Sequence, residues 1–360
     1  MTPKPPHRDY ALDFYRACLL AYIVCVIHPV YWLGNGVEPF KSLILFEMPL
    51  IFFVAGAAAN LAGYRGKTFK EIFTGRVRRI MLPYLIYATL SLGAMALMCT
   101  AAGSGIPTTS LKEYTLSIIF GTNLPGVPYP WHLWFVPVYF IISISTPFQI
   151  WAINHFNGKR PVYIAICVCL WGGVYIISML GILPHILSQL ATQVFLYNIF
   201  YIIGLLLYKK LPQRRLGLLA VLSIILLAII TDGDITGMQN HKFNQDHIFL
   251  IFGTTALLIL SYIASRLSPT GNPQKLFRCG LGRWNKHGYT IYLWQNWCFF
   301  ILSGISSMTG IPATGSPLWL CWLTPALYLL SWALSLITVP IERGLASIAT
   351  SPIVIRIKNR

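Results

Sequence analysis

The sequence predicts an all-α polytopic membrane protein with about ten transmembrane helices and with both termini in the cytoplasm. Of the 360 residues, 56% are hydrophobic and only 10% are charged, and the mean hydropathy is +0.64, which is typical of membrane proteins. The apolar residues form stretches of roughly 20, the length that crosses about 30 Å of hydrocarbon. The third observation is the distribution of positive charge.

Basic residues are sorted between two sets of connections. All but three of the 27 Lys and Arg residues lie at the termini or in alternate connections, and the exceptions are Lys41, Lys112 and Lys242. Positively charged connections stay on the cytoplasmic side, so the basic set and both termini are assigned there. The formal charge of +17 is therefore attributed to residues that set the topology and contact anionic lipid. No nucleic-acid partner is expected.

Ten spans account for most of the chain and leave no room for a soluble domain. The first stretch is too long for a cleavable signal peptide and holds Arg16, so it is expected to be retained. The longest connection, 102–131, is external by charge and could hold a short interfacial helix from Leu111 to Phe120. The charge-free segment from Leu216 to Ile230 is expected to be a lipid-facing peripheral helix. The spans are 10–33, 43–62, 80–101, 132–152, 161–181, 190–208, 216–231, 247–265, 287–305 and 318–340.

The eight cysteines do not form a recognisable metal or redox motif. Most lie within apolar stretches and no C-x-x-C occurs. The closest pair, Cys167 and Cys169, would point to different faces of a helix. We interpret all eight as small hydrophobic residues, and no metal is expected.

Ionisable side chains within spans are costly, so each marks a candidate site. His28 lies in the outer half of the first span and could act as a general base, since imidazole titrates near neutral pH. The alternative is a histidine hydrogen-bonded near the interface. Arg16 precedes it by twelve residues, about 18 Å along a helix. Arg16 alone could also be a snorkelling anchor paired with Asp13.

Glu47 and two arginines extend the list. Glu47 lies beside Pro49 and needs a partner, either His28 or a basic residue of another span, in a catalytic or a structural pair. Arg76 and Arg79 are three apart on one helical face, which suits a clamp for phosphates. The alternative is an ordinary positive-inside cluster.

Trp131 and His132 open the fourth span at the external side. His132 could orient a polar acceptor that enters from outside, with Trp131 beside it. The alternative is that both belong to the aromatic belt at the membrane interface.

Taken in order, these segments resemble the acyltransferase-3 family of integral membrane proteins. The resemblance covers nearly the whole chain, and the ordered set of motifs is more specific than any single one. The segments are LDFYR at 12–16 followed by His28, MPLIFFVAG at 48–56, RVRRIMLPY at 76–84, HLWFV at 132–136, YTIYLW at 289–294 and PIER at 340–343.

The resemblance implies a single transmembrane acyltransferase domain over 1–345, with a basic cytoplasmic tail over 346–360. Such proteins move acyl groups, usually acetyl, from cytoplasmic acyl-coenzyme A to a hydroxyl of an extracytoplasmic carbohydrate or glycolipid. This implies acetyl-coenzyme A or another acyl-coenzyme A as co-substrate, no metal, and the bacterial inner membrane as the location. The family's arginine–histidine pair falls on Arg16 and His28, and its R-x-x-R motif falls on Arg76 and Arg79.

Two departures from the family pattern lead to structural expectations. The family has ten residues between the arginine and the histidine, whereas this chain has eleven. One extra residue turns the histidine by about 100° on a regular helix. A π-bulge would absorb it, or His28 faces the interior without one. Many relatives carry histidine where this chain has Gln295, so that position is not expected to be essential to the chemistry.

The preferred mechanism makes His28 the base, with Glu47 holding the imidazole tautomer and Arg16, Arg76 and Arg79 holding the coenzyme A phosphates. An acyl-histidine intermediate is a variant of it. A polytopic transporter or flippase without acyl transfer is the alternative function, and the absence of a clear internal repeat counts against it. A non-catalytic partner of a polysaccharide-export complex is the third.

Overall fold

A computed structural model of the chain describes residues 9–32, 37–62, 68–104, 111–121, 130–155, 159–266, 280–310 and 320–350. Every regular element in these ranges is a helix. The elements are α1 (Tyr10–Tyr22), a first π-helical turn (Ile23–Ile27), α2 (His28–Trp32), α3 (Phe40–Leu43), α4 (Glu47–Ala62), α5 (Phe69–Arg76), a second π-helical turn (Val77–Met81), α6 (Leu82–Ala101), α7 (Leu111–Phe120), a 3₁₀ turn (Pro130–Trp134), α8 (Phe135–Ile144), α9 (Thr146–His155), α10 (Arg160–Met179), α11 (His185–Leu207), α12 (Gln213–Ile230), α13 (Met238–Asn244), α14 (His247–Arg266), α15 (Gly282–Thr309) and α16 (Leu320–Thr350).

The helices confirm an all-α polytopic membrane protein. Among the described residues, eight helical segments are long and apolar enough to cross a membrane. The number rises to nine if His132–Ile144 and Thr146–His155, which meet at 44°, form one bent span. The remaining expected span corresponds to α15, which is kinked at His287; the part beyond the kink, 288–309, reaches about 33 Å. Its polar side chains lower its mean hydropathy, so α15 is not one of the eight apolar segments counted above.

Two smaller expectations about helices are confirmed. The connection 102–131 contains a helix, Leu111–Phe120. In α12 most apolar side chains are exposed, Leu218 at 61% and Ile229 at 67% among them, as a lipid-facing peripheral helix requires.

Local sequence signals set where helices begin. The carboxylate of Asp9 accepts hydrogen bonds from the backbone N–H groups of Ala11 and Leu12, so it caps α1. Burial alone would raise the pKa of Asp9, but hydrogen bonds from Lys209 and Leu12 outweigh it and hold that pKa below its usual range. Thr68 and Glu71 form a reciprocal capping box at the start of α5.

The centre of the bundle is the contact between α4 and α11, where two glycines let the backbones touch. A Cβ on Gly56 would lie 1.9 Å from the carbonyl oxygen of Tyr201, and a Cβ on Gly204 would lie 2.0 Å from that of Phe53. Close backbone approach through small residues is a common way for helices to pack in membranes.

Helices α1 and α15 run side by side in the same direction. A Cβ on Gly288 would lie 2.3 Å from Cδ1 of Leu20, so the side chains of α1 pack closely against α15 at this glycine. Residues 16–28 of the first span therefore face residues 285–295 of α15, and the candidate site is built along this contact.

Candidate active site

A π-helical turn separates Arg16 from His28. Residues Ile23–Ile27 are π-helical, and regular helix resumes at His28. A π-turn accommodates one extra residue without turning the residues beyond it away from their face. His28 accordingly faces the bundle interior and is only 6% exposed. The first of the two expectations for the eleven-residue spacing is confirmed.

The side chain that contacts the imidazole is Gln295. Nδ1 of His28 lies 2.6 Å from Oε1 of Gln295, and both side chains are buried. The expectation that Glu47 holds the imidazole tautomer is therefore wrong, because Gln295 occupies that position. Gln295 was expected to stand apart from the chemistry, and the structure instead places it against the candidate base.

Two aromatic side chains surround the imidazole. The ring of His28 lies 6.1 Å from that of Tyr292 and 6.3 Å from that of His132. The hydroxyl of Tyr292 donates a 2.6 Å hydrogen bond to the backbone carbonyl of His132. This bond holds the 3₁₀ turn Pro130–Trp134 against α15. It places His132, which was predicted to orient the acceptor molecule, beside the candidate base. The side chain of Trp131 lies outside the described residues.

Glu47 is paired with Lys242 of α13. The ammonium group of Lys242 donates to Oε1 of Glu47, and both residues are buried. Two partners were expected for Glu47. The prediction of His28 is wrong, and the prediction of a basic residue is confirmed, although Lys242 belongs to a connection between spans and not to a span. Lys242 is one of the three basic residues that the charge pattern assigns to the outside. In the structure its charge is buried and paired with Glu47.

These residues enclose one small cavity. Its volume is about 30 Å³, which is enough for a water molecule or a hydroxyl group. His28, Glu47, His132, Lys242 and Tyr292 all contribute to its wall. A candidate base, a cation and a carboxylate thus line the same cavity.

Arg16 lies at the other end of the same helix pair. Its guanidinium donates to the side-chain oxygen of Asn285 at 2.6 Å, and it lies 3.5 Å from the carboxylate of Asp13. The contact with Asp13 is the one expected for an anchor, and the contact with Asn285 adds a connection to α15. Arg16 and His28 lie twelve positions apart, whereas their partners Asn285 and Gln295 lie ten apart. The π-turn accounts for one of the two extra positions.

Arg76 and Arg79 lie around the second π-helical turn, Val77–Met81. The expectation that they share one face of a regular α-helix is therefore wrong, because a π-turn changes the angle between residues three apart. Arg79 is exposed and Arg76 is half-buried. The hydroxyl of Tyr289 donates to the carbonyl of Ile80 at 2.9 Å, so this turn is attached to α15 four residues beyond Asn285.

A buried carboxylate joins the last two motifs of the chain. Glu342 of α16 accepts hydrogen bonds from Thr290 at 2.6 Å and from Trp294 at 2.9 Å. Both donors are one helical turn apart on α15. The contact attaches α16 to α15 next to the site, since Trp294 directly precedes Gln295.

The residues that the sequence did not reveal are Gln295, Tyr292, Asn285 and Lys242. The exception of Lys242 to the charge pattern was the one available signal for it. Gln295, Tyr292 and Asn285 are uncharged. Gln295 stood out only as the replacement for a histidine of many relatives, and Tyr292 only as part of the segment at 289–294. Among the described residues, no group of three or more His, Cys, Asp or Glu side chains is arranged to hold a metal ion.

Comparison with protein families gives one match. A family model described as an acyltransferase domain matches residues 9–336, which is nearly the whole chain. No curated protein and no solved structure was found to match.

Proposed function

The chain belongs to the acyltransferase-3 family and is an integral membrane acyltransferase, and from this premise we propose its reaction. It moves an acyl group, acetyl being the preferred one, from cytoplasmic acyl-coenzyme A to a hydroxyl of an extracytoplasmic carbohydrate or glycolipid. The bacterial inner membrane is the proposed location. The observation that carries this proposal is the helix pair α1–α15, which joins Arg16 at one end to a buried His28 about 18 Å away.

The donor binds at the Arg16 end. Arg16, Arg76 and Arg79 bind the phosphates of coenzyme A, since guanidinium groups form strong charge-assisted hydrogen bonds with phosphate oxygens. Support comes from α15, where Asn285 accepts from Arg16 and Tyr289 donates to the carbonyl of Ile80, the residue after Arg79. The extended pantetheine arm then follows the helix pair and presents the thioester at His28.

His28 acts as the general base. With Oε1 of Gln295 facing Nδ1, the neutral imidazole donates from Nδ1, and Nε2 carries the lone pair that accepts a proton. The acceptor oxygen loses its proton to Nε2 as it attacks the thioester carbon, and a tetrahedral intermediate forms. Collapse of this intermediate breaks the carbon–sulfur bond, and the departing thiolate takes the proton back from the imidazolium.

The acceptor enters from the opposite side, past Trp131 and His132. His132 supports this role because it lines the same cavity as His28. The cavity accepts one hydroxyl at a time, so the acceptor presents a single hydroxyl to the base while the rest of the molecule stays outside.

The experiment measures release of coenzyme A thiol from acetyl-coenzyme A by the protein in lipid nanodiscs. Removal of a general base costs about 10²–10⁴ in rate, so His28→Ala is expected to lose that much turnover while binding of acetyl-coenzyme A persists. His185→Ala is the matched control, because His185 is exposed at the start of α11. A wild-type protein that releases no coenzyme A, or a His28→Ala variant that keeps its turnover, would contradict the proposal.

A further inference from the structure

The ion pair between Lys242 and Glu47 is unusual in its position. Glu47 is 1% exposed and Lys242 is 8% exposed, so both charges are removed from water. Desolvation makes a buried ion pair a weak source of stability, and apolar residues of similar volume often serve as well or better. Stability is therefore a poor explanation for a buried cation in the wall of the cavity that also holds the candidate base.

The pair leaves hydrogen-bonding capacity at the cavity. An ammonium group has three N–H donors, and Oε1 of Glu47 takes one of them. The second carboxylate oxygen, Oε2 of Glu47, is buried without a hydrogen-bond partner among the described residues. Buried polar atoms are normally satisfied. The N–H donors that Glu47 leaves open on Lys242 suit a transient acceptor such as an oxyanion, whereas Oε2 suits a donor such as a hydroxyl group.

We propose that Lys242 is a catalytic residue that stabilises the oxyanion of the tetrahedral intermediate, with Glu47 as its positioning residue. This inference rests on the proposed function and adds to it. As the acceptor oxygen bonds to the thioester carbon, the carbonyl π electrons move onto the carbonyl oxygen. The ammonium group donates to that oxygen and keeps its own proton. When the intermediate collapses, the electrons return to re-form the carbonyl and the thiolate leaves.

The geometry explains why the two groups act on one centre. His28 and Lys242 line the same cavity, so a thioester carbonyl that approaches it meets both groups. A positive donor in a water-poor site stabilises developing negative charge far more than it would in water. Glu47 holds the ammonium group in place before the substrate arrives, so little reorganisation is needed during the reaction.

The structure also explains how Lys242 reaches this place. The backbone N–H of Met238, at the start of α13, donates to the hydroxyl of Ser42, and Met238 is fully buried. Thr192 of α11 donates to Oε1 of Gln245 at 2.8 Å, just beyond the other end of α13. Both ends of α13 are thus attached to the bundle, and Lys242 is held over the cavity between them.

The test compares single variants with the double variant in the coenzyme A release assay. Loss of an oxyanion donor costs about 10²–10³ in kcat. We expect Lys242→Met to lose that much kcat with little change in the KM for acetyl-coenzyme A, whereas Lys242→Arg keeps part of the activity. The matched control is Lys112→Met, which removes an exposed lysine of α7.

The double variant Glu47→Met with Lys242→Met separates catalysis from structure. It removes both charges, so it is expected to regain any thermal stability that Lys242→Met loses by leaving Glu47 unpaired, but not the kcat. Recovery of wild-type kcat in the double variant would overturn the inference, as would full kcat in Lys242→Met. If the wild-type protein itself is inactive, the proposed function is overturned. If His28→Ala is inactive while the Lys242 variants stay active, this inference alone is overturned.

Discussion

Gln295 is the residue for which the structure and the expectation from the sequence differ most. A glutamine oxygen at Nδ1 fixes both the ring orientation and the position of the proton on the imidazole. A carboxylate in this place would also stabilise the protonated ring, whereas an amide fixes the orientation without adding charge. Gln295 is fully buried, so it holds the imidazole in a fixed environment.

Removal of this amide tests its role as an orienting group. Gln295→Leu is expected to lower kcat by roughly 10–100-fold, since a buried hydrogen bond to a catalytic group contributes about 1–3 kcal/mol. Gln295→Glu keeps an acceptor oxygen at Nδ1 and should retain more activity than the leucine variant. Steady-state kinetics of coenzyme A release provides the measurement. Equal kcat for the leucine variant and the wild type would show that the ring needs no such partner.

At this scale the sequence identified charged residues better than neutral ones. His28, Arg16 and Glu47 could be selected because a charge inside an apolar stretch is conspicuous. Glutamine and tyrosine are tolerated in many environments, so the departure at Gln295 was interpreted as unimportant and Tyr292 was noted only as part of a motif. The partner of Glu47 could not be predicted, since Lys242 is 195 residues away and only the folded chain brings them together.

Among the elements, the π-turn Ile23–Ile27 has the clearest consequence for activity. It compensates for the one residue by which the first span exceeds the family spacing. Deletion of Val26 should therefore restore a regular helix and keep the imidazole on the same face, with turnover within a few-fold of wild type. Insertion of an alanine after Val26 should turn the imidazole by about 100° and abolish turnover. Equal loss in both variants would show that the π-turn does not preserve the register.

The glycine contact between α4 and α11 is expected to govern stability. Gly56→Ala places a Cβ 1.9 Å from the Tyr201 carbonyl oxygen, which forces the helices apart and should cost about 1–3 kcal/mol. Gly172→Ala in α10 is the matched control, because no atom lies within 4 Å of its added Cβ. Thermal unfolding in nanodiscs should show a lower midpoint for the first variant only. Equal midpoints would mean that the contact is not tight.

Element positions were the most predictable part of the fold. Each expected span corresponds to a helix, because the length and apolar composition of a span follow directly from the thickness of the bilayer. The two π-turns are different: one was expected from a spacing argument, and the other, Val77–Met81, had no signal in the residues. Hydropathy does not register the angle between neighbouring side chains, so the arginine face was predicted incorrectly.

For the molecule as a whole, the orientation in the membrane is the main prediction. The charge pattern places both termini and the Lys70 connection inside, and places the connection after α12 outside. In a chain without its eight native cysteines, Asp234→Cys should react with an impermeant thiol reagent added to intact cells, and Lys70→Cys should not. Both positions are exposed, so the comparison is matched. The reverse labelling pattern would contradict the orientation and the assignment of donor and acceptor sides.

The polar character of α15 has a consequence for the assembly of this protein in the cell. Arg283, Asn285 and Lys286 near its start, followed by Gln295 and Asn296, raise the free energy of inserting this helix as an isolated segment. Its partners are α1 and α6, made much earlier, and α16, made last. Stable integration of α15 should therefore wait until α16 has been synthesised, because Glu342 supplies partners for Thr290 and Trp294. The active site would then be completed only at the end of biogenesis, when the whole chain has left the ribosome.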